Sequence, residues 1–150
     1  MYNLTTRCCI AGGGPAGIML GYQLARTGIE TIILEKHSDF LRDFRGDTIH
    51  PSTMEVLYEL GLLEDFLKIP HHKVEGVRLN IGDDLITLGD TTHLKVHAPF
   101  IAFTPQWDFL NFISRKGSEY PGFKLMMDTE VTGLIEENGR IAGVYAKNER

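Results

Sequence analysis

An α/β fold built on a parallel sheet is what this sequence predicts, and three observations carry the prediction. A short apolar run, residues 6–11, ends in a glycine cluster in which Gly12, Gly14 and Gly17 keep the G-x-G-x-x-G spacing. A helical pattern follows at once, from Pro15 to about Thr27. A second apolar run, residues 31–34, then ends at Glu35, eighteen residues after Gly17. Strand, tight turn, helix and second strand in that order make a crossover unit, whose strands lie parallel. An acidic residue about 20 positions beyond the last motif glycine is where a dinucleotide-binding turn holds the carboxylate that meets an adenosine ribose. The fold class expected is therefore Rossmann-like.

Each glycine of the motif has its own role in such a unit. Gly12 makes the turn, Gly14 lets backbone amides approach a diphosphate, and Gly17 lets the helix lie close to its strand. Residues 6–11 are apolar on both faces apart from Arg7, as in a central strand covered by helices. Pro15 suits the first helical position, where its missing N–H costs nothing, and Gly28 is placed for a left-handed cap. Gly17 and Gly21, four apart, share a helix face. A glycine costs a helix roughly 1 kcal/mol against alanine, so two on one face mark a close approach to the sheet. Free amides and the positive dipole end at the helix start favour an anion by roughly 0.3–2 kcal/mol.

Residues 37–48 read as a polar, irregular segment carrying Arg42 and Arg45. Residues 52–60 form a helix with a capping box, Ser52 with Glu55, an apolar stripe through Val56, Leu57 and Leu60, and a stop at Gly61. A short amphipathic turn at 62–67 runs on to Pro70. Residues 74–81 alternate through Val77, Leu79 and Ile81, turn at Gly82-Asp83-Asp84 and return through 85–88. A hairpin set inside an α/β pattern predicts an excursion into another sheet. Thr104 and Pro105 open a helix over 105–116 that packs through Trp107, Leu110 and Ile113. Phe123, Leu125 and Met127 alternate as a strand. Residues 130–136 and 140–146 flank Asn138-Gly139, the signature of a two-residue type I′ hairpin. The sequence shows no internal repeat or flexible linker, and it stops in charged residues straight after a strand, so it is expected to be one part of a larger architecture.

The 150 residues suffice for one domain with a core, and 43% hydrophobic with 23% charged residues is ordinary globular usage. A net charge of −5 and a pI near 5.6 supply no basic patch for nucleic acid or an anionic membrane. No apolar run approaches the roughly 18 residues of a membrane span, and residues 1–7 lack the apolar core of a secretory signal. The expected location is cytoplasmic, without stable membrane insertion and without a nucleic-acid partner.

Cys8 and Cys9 are the only cysteines. Adjacent on a strand, they point to opposite faces and offer neither metal nor redox spacing, so both are expected as small core residues. His93 and His97 would share a helix face, but the residues between them are not helical and no carboxylate cluster joins them, so no metal site is expected. His71 and His72 read as loop histidines. His50 is either a helix-entry residue or a substrate contact, and Arg42 either a cofactor-phosphate contact or a solvated loop residue. Trp107 reads as core rather than as a stacking platform. No side chain stands out as acid, base or nucleophile, so the catalytic residues are unknown.

Three blocks of this sequence resemble the N-terminal portion of the class A flavoprotein monooxygenases, the para-hydroxybenzoate hydroxylase family. The first is residues 9–17, Cys-Ile-Ala-Gly-Gly-Gly-Pro-Ala-Gly, with Leu34-Glu35-Lys36. The second is Arg45-Gly46-Asp47-Thr48-Ile49-His50-Pro51 leading into Glu55-Val56-Leu57 and Leu60-Gly61-Leu62; the third is Pro105-Gln106-Trp107-Asp108-Phe109-Leu110. The resemblance covers residues 5–146. Many FAD and NAD proteins share the first block; the second and third are more specific.

The resemblance implies a Rossmann-like FAD/NAD(P)-binding fold, a parallel sheet with helices plus a β-hairpin, and a short β excursion at residues 73–97 toward a substrate domain. Residues 1–150 would be the N-terminal part of an FAD-binding domain, without the family's later Gly-Asp motif and the rest of its substrate sheet. By the same resemblance, Gly12, Gly14 and Gly17 would cradle the FAD pyrophosphate and Glu35 would hold the adenosine ribose. Arg45 would lie near the phosphates, Gln106 would touch the ribityl or pyrophosphate region, and Val131 would meet the adenine through its backbone. With the rest of the first block, the cofactor-binding set is Gly12, Gly13, Gly14, Pro15, Ala16, Gly17, Glu35, Lys36, Arg45, Gln106 and Val131. In a complete relative NAD(P)H reduces FAD, and the reduced flavin activates O2 to hydroxylate an aromatic or similar small molecule. Two rival readings stay open: an NAD-dependent dehydrogenase using the same turn, and a truncated, non-catalytic nucleotide-binding module. Glu35 repels a 2′-phosphate, which makes NADP a poor occupant of this turn. The substrate, NADH against NADPH, and the oligomeric state, a homo-oligomer included, are left open.

Overall fold

The computed structural model describes residues 3–41, 46–82 and 84–148. Along the chain run β1 (Cys8–Ala11), α1 (Pro15–Arg26), β2 (Thr31–Leu34), β3 (Thr48–Ile49), α2 (Pro51–Glu59), α3 (Leu63–Phe66) and β4 (His72–Val74). Then come β5 (Gly76–Ile81), β6 (Asp84–Asp90), β7 (Ile101–Phe103), α4 (Gln106–Ser118), β8 (Phe123–Met126), β9 (Thr129–Glu137) and β10 (Arg140–Asn148). The chain groups into two compact units, Met1–Leu41 with Leu110–Arg150, and Arg42–Phe109.

In the first unit β1, β2 and β8 form a parallel sheet with β2 in the middle. All four residues of β2 are buried, as expected of a strand covered on both faces. The central place predicted for β1 falls to β2 instead. β1 lies at the edge of the described sheet and alternates half-buried with exposed residues, so Cys8 is half-buried and Cys9 exposed rather than core. Partial burial, and next to it the neighbouring Cys8, push the Cys9 thiol above its usual range.

α1 buries Ile18, Tyr22 and Ala25, the i, i+4, i+7 stripe of an amphipathic helix. The close approach expected at Gly21 is present: a methyl there would run into the end of the Ile33 side chain and stand 3.4 Å from the Phe123 ring. Gly117 of α4 meets the same ring, and its methyl would lie 2.6–2.7 Å from three ring carbons. Thr27 ends α1 and Gly28 follows at φ +82°, the left-handed cap that the sequence predicts. β9 and β10 pair antiparallel around Asn138 (φ +52°) and Gly139 (φ +74°), the two positive φ values of a type I′ turn.

In the second unit β3 and β4 pair antiparallel with β7 in a small sheet that the sequence pattern does not predict. Its strands are two or three residues long, too short for an alternation to register. This sheet divides the strand expected over 74–81, because β4 ends at Val74 and pairs with β7 whereas β5 pairs with β6. Between them the Glu75 carbonyl accepts from the backbone N–H (2.9 Å) and the hydroxyl (3.0 Å) of Thr91, closing the base of the hairpin.

The capping box at Ser52 does not form. α2 starts one residue earlier, at Pro51, with His50 as N-cap and no side-chain cap, and the Glu55 carboxylate turns instead to His97. Pro51, Met54 and Leu57 are its buried residues, while Val56 is 40% exposed, so the stripe runs beside the one expected. Gly61 at φ +73° stops the chain as predicted. α4 begins at Gln106, one residue later than expected, just after Pro105, and runs to Ser118. Phe109 packs edge-on against Phe66 in this unit, with ring centroids 5.9 Å apart. Trp107 is only half-buried; Phe109, Leu110, Phe112 and Ile113 are the buried large apolar residues of α4.

The β5–β6 ribbon has an apolar face whose described residues are exposed. Leu79 stands opposite Ile86, and Val77 and Ile81 flank Leu79 on the same side; the four are 43–58% exposed. Among the described residues no helix is long and apolar enough to cross a membrane.

Candidate nucleotide-binding turn

The turn between β1 and α1 is built by four successive backbone decisions. Gly12 takes φ +108°, which only glycine adopts cheaply, and its N–H donates to the Leu34 carbonyl at 2.8 Å. The β1–β2 ladder thus extends one residue beyond the strand. Gly13 is buried, and its N–H donates to Oε2 of Glu35 at 2.8 Å. A methyl on Gly13 would stand 2.9 Å from the Glu35 Cβ. Gly14, the N-cap of α1, is extended at φ −70° and ψ −179°. A methyl there would meet nothing within 4 Å. Gly17 closes the turn from behind: a methyl would strike the Gly12 carbonyl oxygen and crowd Ile10 Cγ2 at 3.3 Å.

The outcome is an open helix start. No side chain caps α1, its first turn carries no acidic residue, and Pro15 removes one amide from the count. The remaining first-turn amides have no intrahelical partner, and the positive end of the helix dipole faces the space over Gly14. Such an arrangement is suited to a phosphate.

Glu35, 9% exposed, borders the turn. Its Oε1 accepts from the His37 N–H at 3.0 Å while Oε2 takes Gly13. The backbone around it is pinned as well: Glu35 N donates to Met126 O and Thr129 N to Glu35 O, both at 2.8 Å, and Asp128 N reaches His37 O at 3.0 Å. Asp128 adopts φ +53° to do so. Lys36 is exposed beside this corner, and Val131 is half-buried in β9. Glu130 is held below the usual carboxylate range, chiefly by its bond to Lys147 across the β9–β10 ladder, with a weaker pull from Lys36.

Gln106 belongs to the second unit, at the first position of α4. Its N–H donates to Asp47 Oδ1 at 3.3 Å, Thr104 N donates to Asp47 O at 3.0 Å, and a methyl on Gly46 (φ +64°) would stand 3.0 Å from Gln106 Nε2. Residues 46–47 and 104–106, far apart in sequence, are therefore neighbours. Arg42 and Arg45 lie outside the described residues.

The histidines resolve individually. His50 caps α2, with Nε2 3.5 Å from Thr48 Oγ1. His71 donates Nδ1–H to the Ile69 carbonyl at 2.7 Å, the tautomer that a carbonyl acceptor requires. His97 binds Glu55 through both its backbone N–H (3.1 Å) and Nδ1 (2.9 Å) and stacks on Tyr58 at 3.3 Å between centroids. Among the described residues no three His, Cys, Asp or Glu side chains group as a metal site.

A family profile described as the FAD binding domain matches residues 5–150. The chain belongs to that FAD-binding family. The residues present fit the cofactor: Gly14 is bare where the fold does not require it, the helix behind it is uncapped, and a buried carboxylate stands at the end of β2. Over 139 residues the chain is 30% identical to the 6-methylpretetramide 4-monooxygenase of Streptomyces rimosus, covering 93% of this chain and 33% of the relative. It is 25% identical over 143 residues to the 1H-pyrrole-2-carbonyl-[peptidyl-carrier protein] brominase of Pseudoalteromonas luteoviolacea, covering 92% and 32%. The crystal structure of p-nitrophenol 4-monooxygenase PnpA from Pseudomonas putida superposes with a TM-score of 0.79 at 21% identity, over 97% of this chain and 39% of that one, a likeness of fold. This FAD-binding chain spans about a third of the length of these two curated relatives.

Proposed function

We propose that the chain is the FAD-binding portion of a flavin-dependent monooxygenase that hydroxylates a small aromatic molecule. One observation carries the nucleotide part. Three of the four glycines in the turn have steric reasons internal to the fold: φ +108° at Gly12, the Glu35 side chain at Gly13 and the Gly12 carbonyl at Gly17. Gly14 has no steric reason, and as the N-cap of α1 it is outdone by Ser, Asp or Asn, so its bareness is accounted for by a ligand. The amides of Ala16 and Gly17 would hold the diphosphate, Glu35 the adenosine ribose, and the Val131 backbone the adenine, with Lys36 at the rim. Gln106 and Arg45 are assigned to the cofactor on the sequence blocks alone.

FAD, when bound, supplies the redox chemistry, with NAD(P)H as donor and O2 as oxidant. The chain's contribution is to bind and orient. Hydroxylation is favoured over halogenation because, among relatives aligned over more than four-fifths of the chain, the two monooxygenases are 30% and 31% identical and the brominase 25%. An aromatic substrate is inferred from relatives named for p-nitrophenol and 6-methylpretetramide. Residues 73–97 are assigned to a substrate-side sheet, since a two-stranded ribbon is marginal alone and β5–β6 leaves its apolar residues exposed. A cytoplasmic location accords with oxidation of NAD(P)H.

Titration of the chain with FAD and, separately, NAD tests this reading. Saturable FAD binding is the expected result. Binding of NAD without FAD would convert the reading to a dehydrogenase, and binding of neither would overturn the nucleotide-binding reading altogether.

A further inference from the structure

Glu35 makes contacts that do not involve a ligand. Its carboxylate is pinned from both sides by backbone amides, Gly13 N–H to Oε2 at 2.8 Å and His37 N–H to Oε1 at 3.0 Å. The side chain is 9% exposed, and Gly13 lies so close that a methyl there would stand 2.9 Å from the Glu35 Cβ. The Gly13 bond sits directly after the backbone bond from Gly12 N to Leu34 O, 2.8 Å. Two consecutive amides of the turn are thus fastened to two consecutive residues of the neighbouring strand end, the first to a main-chain oxygen and the second to a side-chain oxygen. The His37 amide keeps the carboxylate from rotating away, and the His37 carbonyl is held in turn by Asp128 N at 3.0 Å.

We propose that Glu35 is a positioning residue that holds the glycine turn in its binding shape before any nucleotide arrives, in addition to whatever contact it makes with a ribose. The physical reasoning is that of preorganisation. A glycine-rich turn left to itself samples many conformations, and each must be given up on binding. A buried bond from an amide to an ionised carboxylate is among the stronger single bonds a protein makes. It also explains why Gly13 must be bare, which the motif alone does not. One consequence follows for the amides: Gly13 N–H is engaged by Glu35 and is not a phosphate donor, so that role passes to the start of α1. The proposal rests on the nucleotide-binding reading for its ligand, but not for the turn.

The test uses the full 150-residue chain, isotopically labelled and free of nucleotide, and reads amide hydrogen exchange at single residues. In the wild type Gly13 and His37 are expected to exchange slowly. In Glu35→Gln, which keeps the shape but turns one N–H donor against another, the exchange of Gly13 or His37 should quicken at least tenfold, while Leu62, bonded to Leu57 O at 2.7 Å, stays unchanged. The wild-type measurement needs no variant, so misfolding of Glu35→Gln would not shelter the proposal: an unprotected Gly13 amide in the wild type overturns it. Titration with ADP and with 2′-deoxy-ADP then separates the two roles. A residue acting only through the ribose hydroxyl would show a Glu35→Gln defect with ADP that vanishes with 2′-deoxy-ADP, and that result refutes positioning. A defect of about tenfold that persists with 2′-deoxy-ADP supports it. If the wild type binds neither ADP nor FAD, the nucleotide reading fails, and the exchange of Gly13 still decides whether Glu35 shapes the turn.

Discussion

Gly14→Ala should separate binding from folding. The backbone at φ −70°, ψ −179° is open to alanine, and its methyl would touch nothing within 4 Å. Alanine is a poorer N-cap than glycine by up to about 1 kcal/mol, and stiffening the unfolded chain returns roughly 0.4–1 kcal/mol. The net change in stability is therefore under about 1 kcal/mol, a shift of at most roughly 2–4 °C for a chain of this size. Binding is another matter. A methyl over the uncapped helix start holds a diphosphate off at least one amide, and a charge-assisted hydrogen bond is worth roughly 1.5–3 kcal/mol. FAD affinity should fall roughly 10- to 150-fold. Gly17→Ala is the converse control: its methyl strikes the Gly12 carbonyl, backbone on both sides, and overpacking of that kind costs roughly 1–3 kcal/mol. Thermal melts followed by circular dichroism, with calorimetric titration of FAD, measure both quantities. Unimpaired FAD binding by Gly14→Ala would refute the placement of the diphosphate, and an unchanged melt of Gly17→Ala would refute the account of the turn.

Two further outcomes concern the packing around the site. Glu55 is held below its ordinary value of 4.5, first by the His97 backbone N–H and then by the imidazole. A group whose folded pKa is depressed contributes stability above its unfolded pKa and loses it as pH falls through the folded one. Urea midpoints of wild type and Glu55→Gln should therefore differ at about pH 6 and converge as the pH falls through the lowered value, beneath 4.5; a gap that persists undiminished in acid contradicts the bond. Gly117→Ala would gain about 1 kcal/mol of helix propensity in most helices, but here it should lower the melting temperature, because its methyl lands 2.6–2.7 Å from the Phe123 ring. Adding Phe123→Leu should recover part of that loss, whereas strictly additive losses would show that the ring is not the obstacle.

The elements legible in the sequence were those whose signal is local. β2 has the predicted bounds, the turn at Asn138-Gly139 has the predicted backbone, and Gly28 and Gly61 end their helices with the expected positive φ. Where a second element competes, local signals mislead. Ser52 and Glu55 have capping-box spacing, but Pro51 can enter the helix first and His97, 42 residues on, offers Glu55 two donors instead of one. Trp107 lies on an apolar stripe, yet phenylalanines at 109 and 112 take the buried places. β1 reads as a central strand because its composition is apolar, but composition does not say which strand has neighbours on both edges. That is decided by β8, which pairs with β2 from about ninety residues away.

The same division runs through the site. Gly12, Gly14 and Gly17 can be assigned separate roles from spacing because each role belongs to the turn itself. Gly13 and Asp47 could not be found that way. Gly13 is bare on account of a side chain 22 residues further along, and Asp47 matters because its carboxylate and carbonyl receive the amides of Gln106 and Thr104. In both cases an acidic residue that looks like a ligand contact or a loop charge in the sequence is engaged by backbone amides in the fold. A buried or partnered carboxylate must find donors, and in this chain the donors are main-chain N–H groups whose positions no side-chain pattern encodes. The cofactor contacts expected of Glu35 are thus additions to a carboxylate already in use, and its substitution should be read as a change to the turn first and to the ribose contact second.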